Sequence, residues 1–173
     1  VILQSWSNID DFKIEITNDT VINIDTSQDN LFYISSDSLI YYLYLTDNSI
    51  CRIHLQREGD INIVGENQHF IMFLNDYMDR YSRDLAGHTA KEYKGVDEFE
   101  IGLYKLINDD IFRFYQTHVV FDKLSSSCKS YFENMLKYEY LYQLSTFLFN
   151  QHRLDVTSPD NKLRFNNKTN IDW

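Results

Sequence analysis

The sequence has one proline, five glycines and two cysteines in 173 residues. So few glycines leave little material for a backbone cradle around phosphate, and neither glycine-rich phosphate-loop pattern occurs. Cys51 and Cys128 are spaced for neither a metal knuckle nor a redox pair. No apolar run reaches the ~20 residues that a membrane-spanning helix requires. No G-x-S-x-G turn presents a nucleophile, and no H-E-x-x-H pattern presents a zinc site. Basic residues are also scarce, 16 against 26 acidic ones, for a formal net charge of −10 and a pI near 4.8.

That balance disfavours general nucleic-acid binding, which needs a basic footprint to displace counterions from phosphates. Lys162, Arg164 and Lys168 form only a sparse cluster. Docking to an anionic membrane surface is disfavoured for the same reason. An acidic surface suits solubility or a partner protein with a basic surface. Nothing in these patterns calls for a metal or cofactor, and the balance of signatures leans away from an enzyme.

Hydrophobic content of 43 % and charged content of 24 % lie in the globular range. The length fits one α+β domain over residues 1–173, β-rich over 10–65, helix-rich over 67–150, with a polar tail over 151–173. The frequent Ile, Asn, Asp, Tyr and Lys suggest an A+T-rich coding sequence. A start at Val1 suggests a processed product or a domain cut from a larger, possibly viral, protein, and Val1-Ile2-Leu3 reads as the trailing edge of a removed segment.

Residues 12–17, FKIEIT, alternate apolar and polar as a half-buried strand does, and VINID resumes the alternation after Asn18-Asp19, which predicts a hairpin. LFYIS and SLIYYLYLT follow the polar 26–30 loop; the second is apolar on both faces and reads as a central strand. ICRIHLQ and INIV, separated by turn residues 58–60, complete an antiparallel meander over ~10–65.

From Asn67, a candidate N-cap, the spacing of Phe70, Phe73, Leu74, Tyr77, Met78 and Tyr81 predicts a helix with Asp76, Asp79, Arg80 and Arg83 in water. Residues 84–95 read as a loop, and 96–108 as a second helix whose Asp97, Glu98, Glu100 and Lys105 suit its dipole. IFRFYQTHVVF, residues 111–121, is β-branched and aromatic enough to read as a strand.

Leu124 to Asn150 reads as one long helix. Leu124, Cys128, Tyr131, Phe132, Met135, Leu136, Tyr138 and Tyr142 are assigned to its apolar face, with Lys129, Glu133 and Lys137 opposite. From Tyr140 to Phe149 apolar residues point in nearly every direction, so this half is expected to be enclosed. Ser125–Ser127 suit its N-terminus, and Pro159 falls in the loop beyond. The β-rich front half followed by KYEYLYQLSTFLF resembles the sensor and dimerisation domains of AraC-type transcription regulators in pattern, without a helix-turn-helix region after it.

Three constellations invite chemistry. His69, Asp76, Asp79, Asp84 and His88 carry metal-ligand types, but the seven-residue step from His69 to Asp76 spans roughly 10 Å of helix axis. Glu92-Tyr93-Lys94 has the letters of a nuclease Glu-x-Lys, placed in a loop. Cys51 and Cys128 can close one disulfide in an oxidising compartment, worth roughly 4 kcal/mol by loop entropy; in a reducing one they are buried thiols. The expectation is a non-enzymatic protein-interaction domain, an inhibitor, immunity-type factor or regulatory subunit, with Asp76, Asp79, Asp84, Tyr41 and Tyr44 on its binding surface. The alternative is an extracytoplasmic sensor domain holding a small apolar ligand in an aromatic-lined pocket.

Overall fold

The structure, a computed structural model, describes residues 2–5, 13–15, 31–36, 39–46, 50–55, 61–90 and 93–152. The second half of the hairpin read over 12–24, the turns near 26–30, 47–48 and 58–60, and the tail from Thr157 lie outside them. The fold is α+β, with antiparallel strands first and helices after. The chain divides into two compact units, Val1–Asp76 and Tyr77–Trp173.

In the first unit, β1 (Ile2–Ser5), β2 (Lys13–Glu15), β3 (Leu31–Ser36) and β4 (Leu39–Tyr44) form a sheet of order β2-β1-β3-β4. All pairs are antiparallel, with Leu3 opposite Ile14 and Ile34, and Tyr33 opposite Tyr42. This corrects two sequence expectations. Ile2–Ser5, to which the sequence reading assigned no strand, lies between β2 and β3 with Leu3 buried. The order is therefore not a simple meander, and the doubly apolar SLIYYLYLT supplies an edge strand among the described residues, with Ile40 exposed.

Edge strands carry unpaired backbone groups, and β4 has its own answer. α1 (Gln68–Ala90) brings the Asn75 side chain to Tyr42, accepting from its N–H and donating to its C=O, both at 2.8 Å. Asn75 Nδ2 also donates to Ile71 O at 2.8 Å. One carboxamide thus stands in for a neighbouring strand. Burial of Phe32, Ile34, Leu43, Tyr44, Phe70, Ile71, Phe73 and Leu74 builds the core of this unit. β5 (Cys51–Leu55) and β6 (Ile61–Gly65) pair separately, Cys51 opposite Gly65. A Cβ on Gly65 would stand 2.6 Å from Ile50 O, so only glycine permits that approach.

α1 buries Phe70, Phe73, Leu74, Tyr77 and Tyr81 and exposes Asp76, Asp79, Arg80 and Arg83, as the periodicity predicts. It then continues through the stretch predicted as a loop from Asp84. Leu85 and His88 extend the buried stripe at steps of four and three, and that packing outweighs the ~1 kcal/mol that Gly87 costs.

The second unit continues with α2 (Val96–Tyr104), a π-helical segment (Lys105–Phe112), α3 (Arg113–Thr117), a 3-10 turn (Phe121–Lys123) and α4 (Ser126–His152). The strand expected over 111–121 is thus helical for most of its length. The reason is a strict four-residue ladder, Phe99, Leu103, Ile107, Ile111 and Tyr115, all fully buried. In an α-helix, four residues overshoot a turn by about 40°, so such a ladder would wind off one face. The wider π turns, closed by i→i+5 bonds, undershoot and return it. Composition pointed to a strand, and spacing decided otherwise.

α4 begins two residues after the predicted start. Ser125 caps it, its Oγ accepting from Cys128 N–H at 3.2 Å. Cys128, Phe132, Leu136, Tyr140, Leu144 and Leu148 are buried, again at steps of four, here without π turns, so the buried face winds around the helix. Tyr138 and Tyr142, expected on the apolar face, are 73 % and 63 % exposed, and Phe149 is 71 % exposed where enclosure was expected. Tyr138 lies two residues from both Leu136 and Tyr140, about 200° round the helix from each.

Candidate functional site

The three aspartates assigned to a binding surface are all exposed on α1, Asp76 in the first unit and Asp79 and Asp84 in the second. Arg80 and Arg83 stand among them, so that stretch is of mixed charge. Arg80 also lies over the Tyr81 and Phe114 rings, 5.3 and 5.2 Å from their centroids. Tyr41 is half-buried; burial raises its phenol pKa first, and the charges of Asp76 and Cys51 add to the rise. Tyr44 is a correction. It is 6 % exposed and packs edge-on against Phe70 at 4.9 Å, so its ring serves the core of the first unit.

The acidity lies elsewhere than on that helix. Residues 1–76 hold twelve acidic and three basic side chains, a formal −9, while residues 77–173 hold fourteen and thirteen, a formal −1. Nine-tenths of the net charge therefore belongs to the first unit, a pattern open to the sequence once its division is known.

The second unit contains two polar arrangements that periodicity did not single out. His88, 4 % exposed, packs against both Tyr93 and Phe99. One ring nitrogen, Nε2, is 3.2 Å from Phe99 O, and the Tyr93 hydroxyl is 2.9 Å from Nδ1. The Phe99 carbonyl can only accept, so that contact calls for a proton on Nε2; the Tyr93 hydroxyl lies close to both ring nitrogens, 3.2 Å from Nε2 as well. Phe99 stacks on Phe147 at 4.0 Å and 9°, and Tyr93 meets both edge-on. Gly102 of α2 faces this imidazole. A Cβ there would stand 2.8 Å from His88 Cε1.

The other arrangement is a groove of about 310 Å³ lined by Asp97, Glu100, Ile101, Tyr104, Lys105 and Tyr140. Tyr140 O–H donates to Glu100 Oε1 at 3.1 Å. Nearby, Glu98 Oε2 accepts from Lys94 N–H at 2.7 Å, folding back over the residue that precedes the N-cap Gly95.

The ionisation pattern favours protonated groups. Burial comes first among the causes that raise the pKa of Tyr42, Tyr77, Tyr81, Tyr93 and Tyr115, with Glu139 adding at Tyr77 and Glu133 at Tyr115. Burial also pushes the Cys51 thiol up, away from the thiolate that a nucleophile needs. Cys51 and Cys128 are free thiols, one in each unit. Among the described residues no three His, Cys, Asp or Glu side chains gather as metal ligands. Glu92 lies outside the described residues. No described helix is long and apolar enough to cross a membrane. Comparison of the chain with protein-family models, curated proteins and solved structures finds no match to any of them.

Proposed function

We propose that the chain is a non-enzymatic protein-interaction domain whose acidic N-terminal unit draws in a partner with a basic surface, as an inhibitor, immunity-type factor or regulatory subunit does. The observation that supports this most is the partition of charge, −9 in residues 1–76 against −1 in residues 77–173. A field of one sign concentrated in one part of a molecule steers oppositely charged partners and speeds their encounter.

The test is affinity capture on the immobilised full chain and on two matched variants. One replaces Asp10, Asp11, Asp19, Asp25 and Asp29 with Asn; the other replaces Asp79, Asp84, Asp109, Asp110 and Asp122 with Asn. The reading expects a discrete basic protein that the first variant loses and the second retains. Retention by both, or recovery of acidic proteins only, would remove it.

A further inference from the structure

The side of α4 turned away from the core is aromatic. Tyr138, Tyr142 and Phe149 are 73 %, 63 % and 71 % exposed. Their steps of four and seven place all three in a band about 40° wide along the helix, with Met135 and Ser145 about 40° to either side of its midline. Positions 135, 138, 142, 145 and 149 thus alternate steps of three and four, the spacing of a seam between two helices. An exposed helix face ordinarily carries charge; from Tyr138 to Asn150 the only charged residue is Glu139. That carboxylate is drawn toward the buried side of α4, its Oε1 accepting from Gln143 Nε2 at 2.6 Å, and Gln143 is 5 % exposed.

We propose that this face joins two copies of the chain, α4 against α4 in antiparallel array. The seam is symmetric in sequence, since positions 135, 138, 142 and 145 mirror one another about position 140. A two-fold axis at that level sets Tyr138 of each copy beside Tyr142 of the other, and Met135 beside Ser145, while Phe149 reaches the second turn of the opposite helix. Ring therefore meets ring in the inner layers, and large meets small in the outer ones. The charge agrees, because the unit that carries α4 has a formal −1 and two such units approach with little repulsion. A basic partner finds one carboxylate on this face, already bonded to Gln143. A Tyr or Phe carries about 200 Å², so at these exposures the three rings offer roughly 400 Å² per copy and about 800 Å² in the pair. The half-buried Met135, Leu141 and Ser145 extend that toward the ~1,200 Å² at which specific interfaces begin, so the dimer is weak and reversible. The dimer is independent of the acidic-unit reading and adds to it, because joined copies present two acidic units to a partner.

The test is sedimentation velocity of the full chain from about 1 to 500 µM, a range set around the affinity of so small an interface. The expected result is a mass that rises from 20.7 kDa toward twice that value, with a midpoint at tens of micromolar. Tyr138→Glu and Tyr142→Glu, at exposed positions, should each weaken association by about tenfold or more, with unchanged circular dichroism. Val119→Glu, 80 % exposed and off the seam, should associate as the natural chain does. A single monomeric mass at every concentration overturns the proposal, and nuclear Overhauser contacts from Tyr138 and Tyr142 to residues 153–173 of the same chain would then give the face to the chain's own tail. A dimer that Y138E and Y142E leave at full affinity also overturns it, by placing the interface elsewhere. The orientation has its own readout, a short bismaleimide applied to Met135→Cys and Ser145→Cys chains, with the linked peptides identified by mass spectrometry. The antiparallel seam links one variant to the other, because like positions lie ten residues, or about 15 Å, apart along the axis. Linkage of each variant mainly to itself overturns the antiparallel arrangement.

Discussion

The two units differ in what holds them and in what they present. Among its described residues the first is mostly sheet; it carries nearly all the net charge and meets its β4 edge at Tyr42 with the carboxamide of Asn75. The second is almost neutral and is built from helices whose buried residues repeat every four positions, with interlocked rings at its centre. Its phenols lie near carboxylates, Tyr115 to Glu133 at 3.4 Å and Tyr140 to Glu100 at 3.1 Å. The contrast teaches that a chain's net charge can mislead about where its acidic surface lies. The exposed aspartates of α1 attract attention first, yet two arginines stand among them, and most of the imbalance belongs to residues earlier in the sequence.

The comparison can be sharpened by substitutions that weaken one unit's device at a time. Phe99→Ala removes one ring of the 4.0 Å stack with Phe147 and should destabilise the second unit by about 3–5 kcal/mol, measured by urea denaturation. Asn75→Leu leaves the Tyr42 N–H and C=O without their carboxamide partner and should cost about 2–4 kcal/mol. Hydrogen exchange at the Tyr42 amide should quicken, and an unchanged rate would show that β4 needs no such cover. Two helical glycines make a finer test. Gly102→Ala drives a methyl against His88 and should cost about 1–3 kcal/mol. Gly87→Ala meets nothing within 4 Å and should stabilise by about 0.5–1 kcal/mol. Opposite signs are the prediction; matching signs would mean that the imidazole does not hold the place described.

The smallest effect is alkaline. Tyr77 and Tyr115 have folded-state pKa values raised above the ordinary 10.0, by burial first and then by Glu139 and Glu133. A raised value means that the folded state binds the proton more tightly. The associated stability is therefore fully present below about pH 10, the unfolded phenol's range, and falls as pH rises beyond it. Denaturation midpoints measured at pH 8 and in steps above pH 10 should decline, and the Tyr115→Phe variant should decline less.

Much of this was legible where spacing carried the signal. The α1 stripe, the α4 span to within two residues and the Ser125 cap follow from apolar periodicity and from side-chain oxygens beside a helix start. The failures have specific causes. Residues 111–121 have strand-like composition, but Ile107, Ile111 and Tyr115 belong to a ladder that begins at Phe99, outside the window that suggested a strand. The loop expected after Asp84 rested on glycine and polar content, while Leu85 and His88 carry the helix onward. SLIYYLYLT is apolar on both faces, yet its edge at Tyr42 is met by an asparagine more than thirty residues away, a pairing no local pattern announces. Gly102 needed the position of His88 to acquire its meaning. Of the candidate surface, Asp76, Asp79 and Asp84 are exposed on α1, whereas the Tyr44 ring lies in the core, because a strand apolar on both faces does not say which face a helix will cover.

The most direct measurement is the association rate of the captured partner with the full chain as ionic strength rises from about 0.05 to 0.5 M, a range over which the screening length shortens severalfold. The account predicts a steep fall for the natural chain and for the variant neutralised at Asp79, Asp84, Asp109, Asp110 and Asp122. It predicts a slow, nearly salt-independent rate for the variant neutralised at Asp10, Asp11, Asp19, Asp25 and Asp29. A rate that ignores salt in the natural chain, or that responds equally to the two sets of substitutions, would contradict the assignment of partner attraction to the N-terminal unit.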